Sequence, residues 1–157
     1  MALTVLSPVS GTVVTMADVP DPVFAEGMVG PGIAVDPDLD GAASIAVAPI
    51  DGTMAALHPH AFVVSDAGHR GILVHLGIDT VQLGGTGFTV HVAKGDTVRA
   101  GEHLITWSPS DVAAGGRSPL VPVVALEVPA GGLDVLVAPG ERVVAGAVPA
   151  TPLLRVP

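Results

Sequence analysis

Two of the six histidines in this chain stand where an imidazole can do chemistry. His60 ends the turn His58-Pro59-His60-Ala61-Phe62. His75 lies within Gly71-Ile72-Leu73-Val74-His75-Leu76-Gly77-Ile78-Asp79-Thr80-Val81. A run that apolar is expected to be half or wholly buried. Burial disfavours the imidazolium, so His75 is expected to stay uncharged around neutral pH. A neutral imidazole with one nitrogen free, and the other's proton held by a partner, is a competent nucleophile. If the two histidines meet across adjacent strands, the pair can carry a phosphoryl group or hold a metal ion. On pattern alone a satisfied core histidine is slightly favoured for His75. The remaining histidines read more plainly: His69 as solvated in a turn, His91 and His103 as strand-edge residues.

The elements that must position this pair are strands. Short runs rich in Val, Ile and Thr recur about every eight to twelve residues between Gly, Pro and Asp, the rhythm of a sandwich or barrel. The runs fall at residues 12–16, 32–35, 44–48, 62–65, 72–76, 88–92, 104–107, 121–128 and 133–137. One short helix is expected at 108–114, with Ser108 as N-cap and Pro109 at its first position. Two internal echoes sharpen the reading. Ser7-Pro8-Val9-Ser10-Gly11-Thr12 returns as Ala48-Pro49-Ile50-Asp51-Gly52-Thr53. The corner Val92-Ala93-Lys94-Gly95-Asp96-Thr97-Val98-Arg99-Ala100-Gly101 returns as Val137-Ala138-Pro139-Gly140-Glu141-Arg142-Val143-Val144-Ala145-Gly146. Two copies about 40 residues apart mark a duplicated β unit, because a solenoid needs three or more repeats. The expected fold is all-β: a compact antiparallel β-sandwich or barrel-sandwich hybrid with a duplicated β unit and at most short helical turns.

Composition narrows the function. A length of 157 residues suits one domain, which would bury about 68–70% of its unfolded surface. The formal charge of −9, with only six Lys and Arg, argues against nucleic acid. There is no cysteine, which excludes disulfides, thiol catalysis and Cys-type zinc sites. No apolar run reaches the roughly 20 residues of a membrane span. The start MALTVLSPVSG lacks the basic segment of an export signal. A cytoplasmic protein that does not span a membrane is expected.

Ile72-Leu73-Val74-His75-Leu76-Gly77-Ile78-Asp79-Thr80-Val81-Gln82-Leu83-Gly84-Gly85-Thr86-Gly87-Phe88, with Pro59-His60-Ala61-Phe62 upstream, resembles the signature of the glucose-class enzyme IIA of the bacterial phosphoenolpyruvate-dependent sugar phosphotransferase system. The resemblance extends in order through Leu6-Ser7-Pro8-Val9-Ser10-Gly11, Val19-Pro20-Asp21-Pro22-Val23-Phe24-Ala25, Gly30-Pro31-Gly32-Ile33-Ala34-Val35 and Pro119-Leu120-Val121-Pro122-Val123-Val124. It covers nearly the whole chain, so residues 1–157 are expected to form a single enzyme IIA domain. It implies an antiparallel β-sandwich with a shallow apolar active face and no cofactor. By position, His75 would take a phosphoryl group from phospho-HPr and pass it to a cysteine of a IIB domain. His60 would face it and donate to the phosphoryl oxygens. Asp79 and Asp21 match flanking acidic residues, and Phe24 matches an aromatic on the docking surface. Because this chain has no cysteine, the IIB acceptor, with its IIC permease, is expected on a separate chain, and the sequence reads as a free-standing carrier. The chain departs from the family's pattern at His58, where Thr is common, at Gly71, where Glu is usual, and at Leu76, where an aromatic is common.

Three other readings compete. His58-Pro59-His60 and His75-Leu76-Gly77-Ile78-Asp79 supply the H-x-H and H-x-x-x-D elements of a LytM-type zinc peptidase, but in the reverse of that family's order. Adventitious, non-catalytic zinc between His60 and His75 is compatible with the same donors. A biotinyl or lipoyl carrier needs a lysine at a hairpin tip; the only lysine, Lys94, sits in a corner whose second copy carries Pro139. A phosphorylation-dependent regulatory module acting on other targets would use the same histidines. The phosphocarrier reading accounts for the most residues.

Overall fold

Glycine and proline break the apolar sequence into segments too short for helices and rich in β-branched residues, and the chain uses them as strands. The computed structural model describes residues 2–41, 43–146 and 150–157. These form fourteen strands: β1 (Leu3–Leu6), β2 (Gly11–Val14), β3 (Gly32–Pro37), β4 (Ser44–Val47), β5 (Gly52–His58), β6 (Ala61–Ser65), β7 (Gly71–His75), β8 (Phe88–Val90), β9 (Thr97–Val98), β10 (His103–Trp107), β11 (Val121–Ala125), β12 (Asp134–Val135), β13 (Arg142–Val143) and β14 (Pro152–Val156). Two short helices, α1 (Pro22–Ala25) and α2 (Pro109–Ala114), and two 3-10 turns, Met16–Asp18 and Thr80–Leu83, complete them. No helix among the described residues is long and apolar enough to cross a membrane.

The all-β antiparallel expectation holds, and its boundaries shift for local reasons. β2 stops at Val14 because the chain turns into the 3-10 segment Met16–Asp18. The run at 121–128 ends at Ala125, and Glu127 takes a left-handed backbone. The run at 133–137 contracts to β12. Strands β1, β5, β9, β13 and β14 go beyond the expected set. Two of them are two-residue pairings in the repeated corners, and β5 carries no β-branched cluster. α2 is as expected, with the Ser108 hydroxyl accepting from Asp111 N at 3.2 Å. α1 is the unexpected helix, although Asp21 and Pro22 supply its N-cap and first position.

Pairing is antiparallel throughout, and the order of strands repeats itself. The largest sheet runs β13-β2-β3-β11-β7-β6-β5-β9, flanked by the three-stranded sheets β1-β14-β12 and β4-β10-β8. Read from its middle, the large sheet is the same twice over: β11-β3-β2-β13 in one direction and β7-β6-β5-β9 in the other. The backbone bonds match in the same way. Val13 N donates to Glu141 O and Gly140 N to Val13 O; Met54 N donates to Asp96 O and Gly95 N to Met54 O. Leu6 N reaches Pro49 O while Val47 N reaches Pro8 O, each at 2.9 Å. The duplicated unit therefore folds as two interlocked halves, each completing the other's corner.

Between the sheets lies the main core, with Trp107, Phe62, Met54, Ile50, Leu104 and Leu154 buried within it. Removing each such side chain from water contributes about 1.5–3 kcal/mol. A smaller cluster of Val19, Phe24, Ala34, Ile78 and Val124 packs apart from it. That second cluster seats α1 and the turn after β7, the segments that flank His75.

Candidate active site

The hairpin β5–β6 closes through the two residues Pro59 and His60, with His58 paired to Ala61 and Ala61 paired in turn to His75. A two-residue loop leaves little freedom at its tip. It projects the His60 ring over the end of β7. Leu76 N donates to His60 O at 2.7 Å, fastening the tip to the residue after His75. The imidazole centroids of His60 and His75 lie 5.1 Å apart, edge to face at 71°. Sequence reasoning brought these two together, and the structure places them together.

After His75 the backbone makes a tight reversal. Gly77 has φ 79°, and Asp79, a non-glycine residue, has φ 60°. A Cβ at Gly77 would come within 2.6 Å of Thr80 Cγ2, so the turn requires glycine. The reversal brings Gly77 O to 2.5 Å from His75 Nδ1. A carbonyl can only accept, so Nδ1 carries the proton and Nε2 presents a lone pair. Burial holds the His75 pKa below the ordinary histidine range; the bond to Gly77 and the negative charges of Asp21 and Asp79 oppose that shift without cancelling it. The His60 pKa is likewise lowered, first by burial and then by the neighbouring rings of His75 and His58.

Phe24 is buried, and its ring lies 5.3 Å from that of His75 at 64°. It forms a wall of the site as well as the anchor of α1. Asp21 serves twice: its carboxylate accepts from Val23 N at 2.9 Å, capping α1, and its charge reaches His75. Asp79 is exposed at the mouth of the turn. Among the large apolar side chains left in solvent are Val23 on α1, 43% exposed, and Val81 beyond Asp79, 61% exposed, so both segments that flank the imidazoles present apolar surface. Sequence reasoning missed Val23, Val81, the Gly77 carbonyl and Thr80. Gly77 and Asp79 are residue types that favour turns, but exposure and carbonyl direction have no sequence signature.

The three departures resolve differently. His58 is exposed, with its ring 5.8 Å from that of His60. Leu76 is fully buried in the main core. A side chain at Gly71 would touch Leu126 and Val63 at ordinary distances of 3.4 Å. Among the described residues, no group of three or more His, Asp or Glu side chains is arranged to hold a metal ion. Lys94 is exposed in its corner, which is built like its lysine-free copy.

The model of the family described as phosphoenolpyruvate-dependent sugar phosphotransferase system, EIIA 1, matches residues 3–130. The chain belongs to that family. It is 36% identical over 124 residues to a glucose-specific EIIA component of Oceanobacillus iheyensis, an alignment covering 78% of this chain and 73% of that protein. It is 46% identical over 116 residues to the glucose-specific EIICBA component of Streptococcus pneumoniae, covering 72% of this chain and 15% of that longer protein. Among solved structures, glucose permease IIA from Mycoplasma capricolum superposes with a TM-score of 0.83 at 31% identity, covering 99% of this chain and 96% of that one. As an EIIA protein the chain is a phosphotransferase component of sugar transport, and its β-rich fold is that of its solved relative.

Proposed function

We propose that this EIIA protein carries phosphoryl groups on Nε2 of His75, taking them from phospho-HPr and giving them to a IIB cysteine in the cytoplasm. The observation that carries the reading is the bond between His75 Nδ1 and Gly77 O, which leaves Nε2 as the nucleophile. In the first step the Nε2–P bond forms as the P–N bond to the HPr histidine breaks and leaves its electron pair on the HPr nitrogen, while Nδ1 keeps its proton, hydrogen-bonded to Gly77 O. In the second the thiolate of the IIB cysteine forms a P–S bond as Nε2–P breaks, and the electron pair of that bond returns to Nε2. Phosphorylation places positive charge on the ring, and Asp21 and Asp79 lie where they favour it. His60, 5.1 Å away ring to ring, donates to the phosphoryl oxygens as charge redistributes. The apolar surface of Val23 and Val81 shields the phosphohistidine from water once a partner covers it.

The chain has no cysteine, so the accepting thiol lies outside these 157 residues. Relatives named EIICBA and EIIBCA join the same unit to B and C components, which supports a IIB/IIC permease as the downstream partner. The test is intact mass after incubation with phosphoenolpyruvate, enzyme I and HPr. An acid-labile phosphoryl adduct is expected on the wild type and none on His75→Ala. No adduct on folded wild type with cognate partners would sink the proposal.

A further inference from the structure

The geometry points to Thr80 as a positioning residue for phosphoryl transfer: its buried hydroxyl locks the turn whose Gly77 carbonyl holds the Nδ1 proton of His75, and so keeps Nε2 free to attack. This inference rests on the reading of His75 as the phosphoryl acceptor.

Thr80 is 1% exposed and is, with Ser7, one of two buried polar residues among the described residues. Its hydroxyl does not face water or a sheet partner. It donates to Leu76 O at 2.7 Å and lies 3.5 Å from Gly77 O, the two consecutive carbonyls that follow His75. The turn they belong to is held from three directions. Leu76 N is tied to His60 O at 2.7 Å, Ile78 N to Ser118 O at 2.8 Å, and Leu76 O to Thr80. Two of these ties are backbone to backbone and persist whatever the side chains; the third is the only one of them that a side chain makes.

The lock matters because the turn is not a low-energy shape. Asp79, a non-glycine residue, adopts a left-handed backbone conformation, and such a conformation persists only where the surroundings over-determine it. Without the hydroxyl, Leu76 O is a buried acceptor with no donor, and the chain relieves that cost by rotating the adjoining peptides. Rotation turns Gly77 O away from Nδ1. The proton then loses its partner, and the imidazole can place it on Nε2, the atom that must attack. The methyl of Thr80 plays a separate part, filling the space beside Gly77, where a Cβ would meet it at 2.6 Å. Hydroxyl and methyl can therefore be tested apart.

Imidazole 1H–15N correlation spectra of the full chain, with no phosphoryl donor present, read the tautomer directly. Wild type and Thr80→Ser are expected to hold His75 with its proton on Nδ1, and Thr80→Val to show a shift toward Nε2–H. Acceptance from phospho-HPr is then expected to slow about tenfold or more in Thr80→Val, as happens when a catalytic histidine holds the wrong tautomer, and to stay close to wild type in Thr80→Ser. Should the valine variant fail to fold, Thr80→Ala, which lacks both hydroxyl and methyl, is read against Thr80→Ser, which lacks only the methyl. An unchanged tautomer in the hydroxyl-free variant, or a shifted tautomer with wild-type acceptance, overturns the inference. If wild type itself accepts no phosphoryl group, the reading of His75 as acceptor fails, and the tautomer comparison alone decides whether Thr80 positions the ring.

Discussion

The two interlocked halves begin alike and end differently. In each, a Pro-turn-Gly segment leads into a strand whose first glycine lies against a partner carbonyl: an added Cβ would meet Asp36 O at 2.1 Å at Gly11 and Ser65 O at 2.2 Å at Gly52. In each, a two-residue strand pairs with that first strand, β13 with β2 and β9 with β5. The register then assigns counterparts. Val13 pairs with Val35 and Val35 with Val121; Met54 pairs with Val64 and Val64 with Ile72. Three residues beyond Val121 and Ile72 stand Val124 and His75. One half therefore holds a buried valine where the other holds the candidate nucleophile. The half that ends in Val124 contributes a wall instead, since its strand β2 leads into Asp21 and Phe24, while β5 leads into His60. Repeated geometry needs only glycines and backbone bonds, whereas chemistry needs a departure from the repeat.

The comparison breaks most sharply at His60. Replacing it with Gln should leave arrival of the phosphoryl group measurable but slow its onward transfer to IIB about a hundredfold in rapid-quench experiments. Equal transfer by the variant would remove His60 from the chemistry. The next largest contrast is between glycines. Gly77→Ala, with φ 79° and Thr80 Cγ2 in the way, should cost about 2–4 kcal/mol in urea unfolding. Gly95→Ala and Gly140→Ala, also left-handed but with nothing within 4 Å, should cost about 1–2 kcal/mol. Matching losses would mean that the site turn is no tighter than the corners.

Acidity separates the halves next. His60 and His75 both have folded-state pKa values below those of the unfolded chain. The unfolded chain therefore binds more protons at acid pH, and the stability these groups contribute is fully present above about pH 6.5 and lost as pH falls through their folded values. Urea midpoints measured on both sides of that window should fall less steeply for His75→Gln than for wild type, and an identical slope would contradict the burial argument. Phosphoryl acceptance should likewise persist somewhat below about pH 6.5, because His75 stays neutral there. The smallest effect belongs to the corner carboxylates. Asp96 accepts from Ala93 N at 2.9 Å and Glu141 from Ala138 N at 3.2 Å, both in exposed turns. Replacing either with Ala should cost less than about 1 kcal/mol and leave acceptance unchanged. A loss of acceptance would show that the corners act on the site.

Much of the molecule is legible along the chain because it is encoded locally. Glycine and proline spacing marks the strands, the two echoes mark the duplication, and an imidazole within an apolar strand marks His75. The short helix at Ser108 is readable from its cap. The two-residue strands in the corners are not, since two residues carry no period and form only because a glycine turn delivers them to a partner. Asp21 illustrates the limit for the site: the sequence offers a carboxylate, but that it caps α1 while its charge reaches His75 depends on where the helix packs.

By itself the sequence determined the all-β class, the duplicated unit, the His60 and His75 pair and the family, because alternation, turn chemistry and motif are properties of neighbours along the chain. Only the tertiary structure decided which nitrogen of His75 is free, which ring it faces, and why the matching place in the other half is a buried valine. Those outcomes depend on groups brought together through space: a carbonyl aimed by a left-handed turn, a threonine hydroxyl beneath it, and a histidine delivered by a different hairpin.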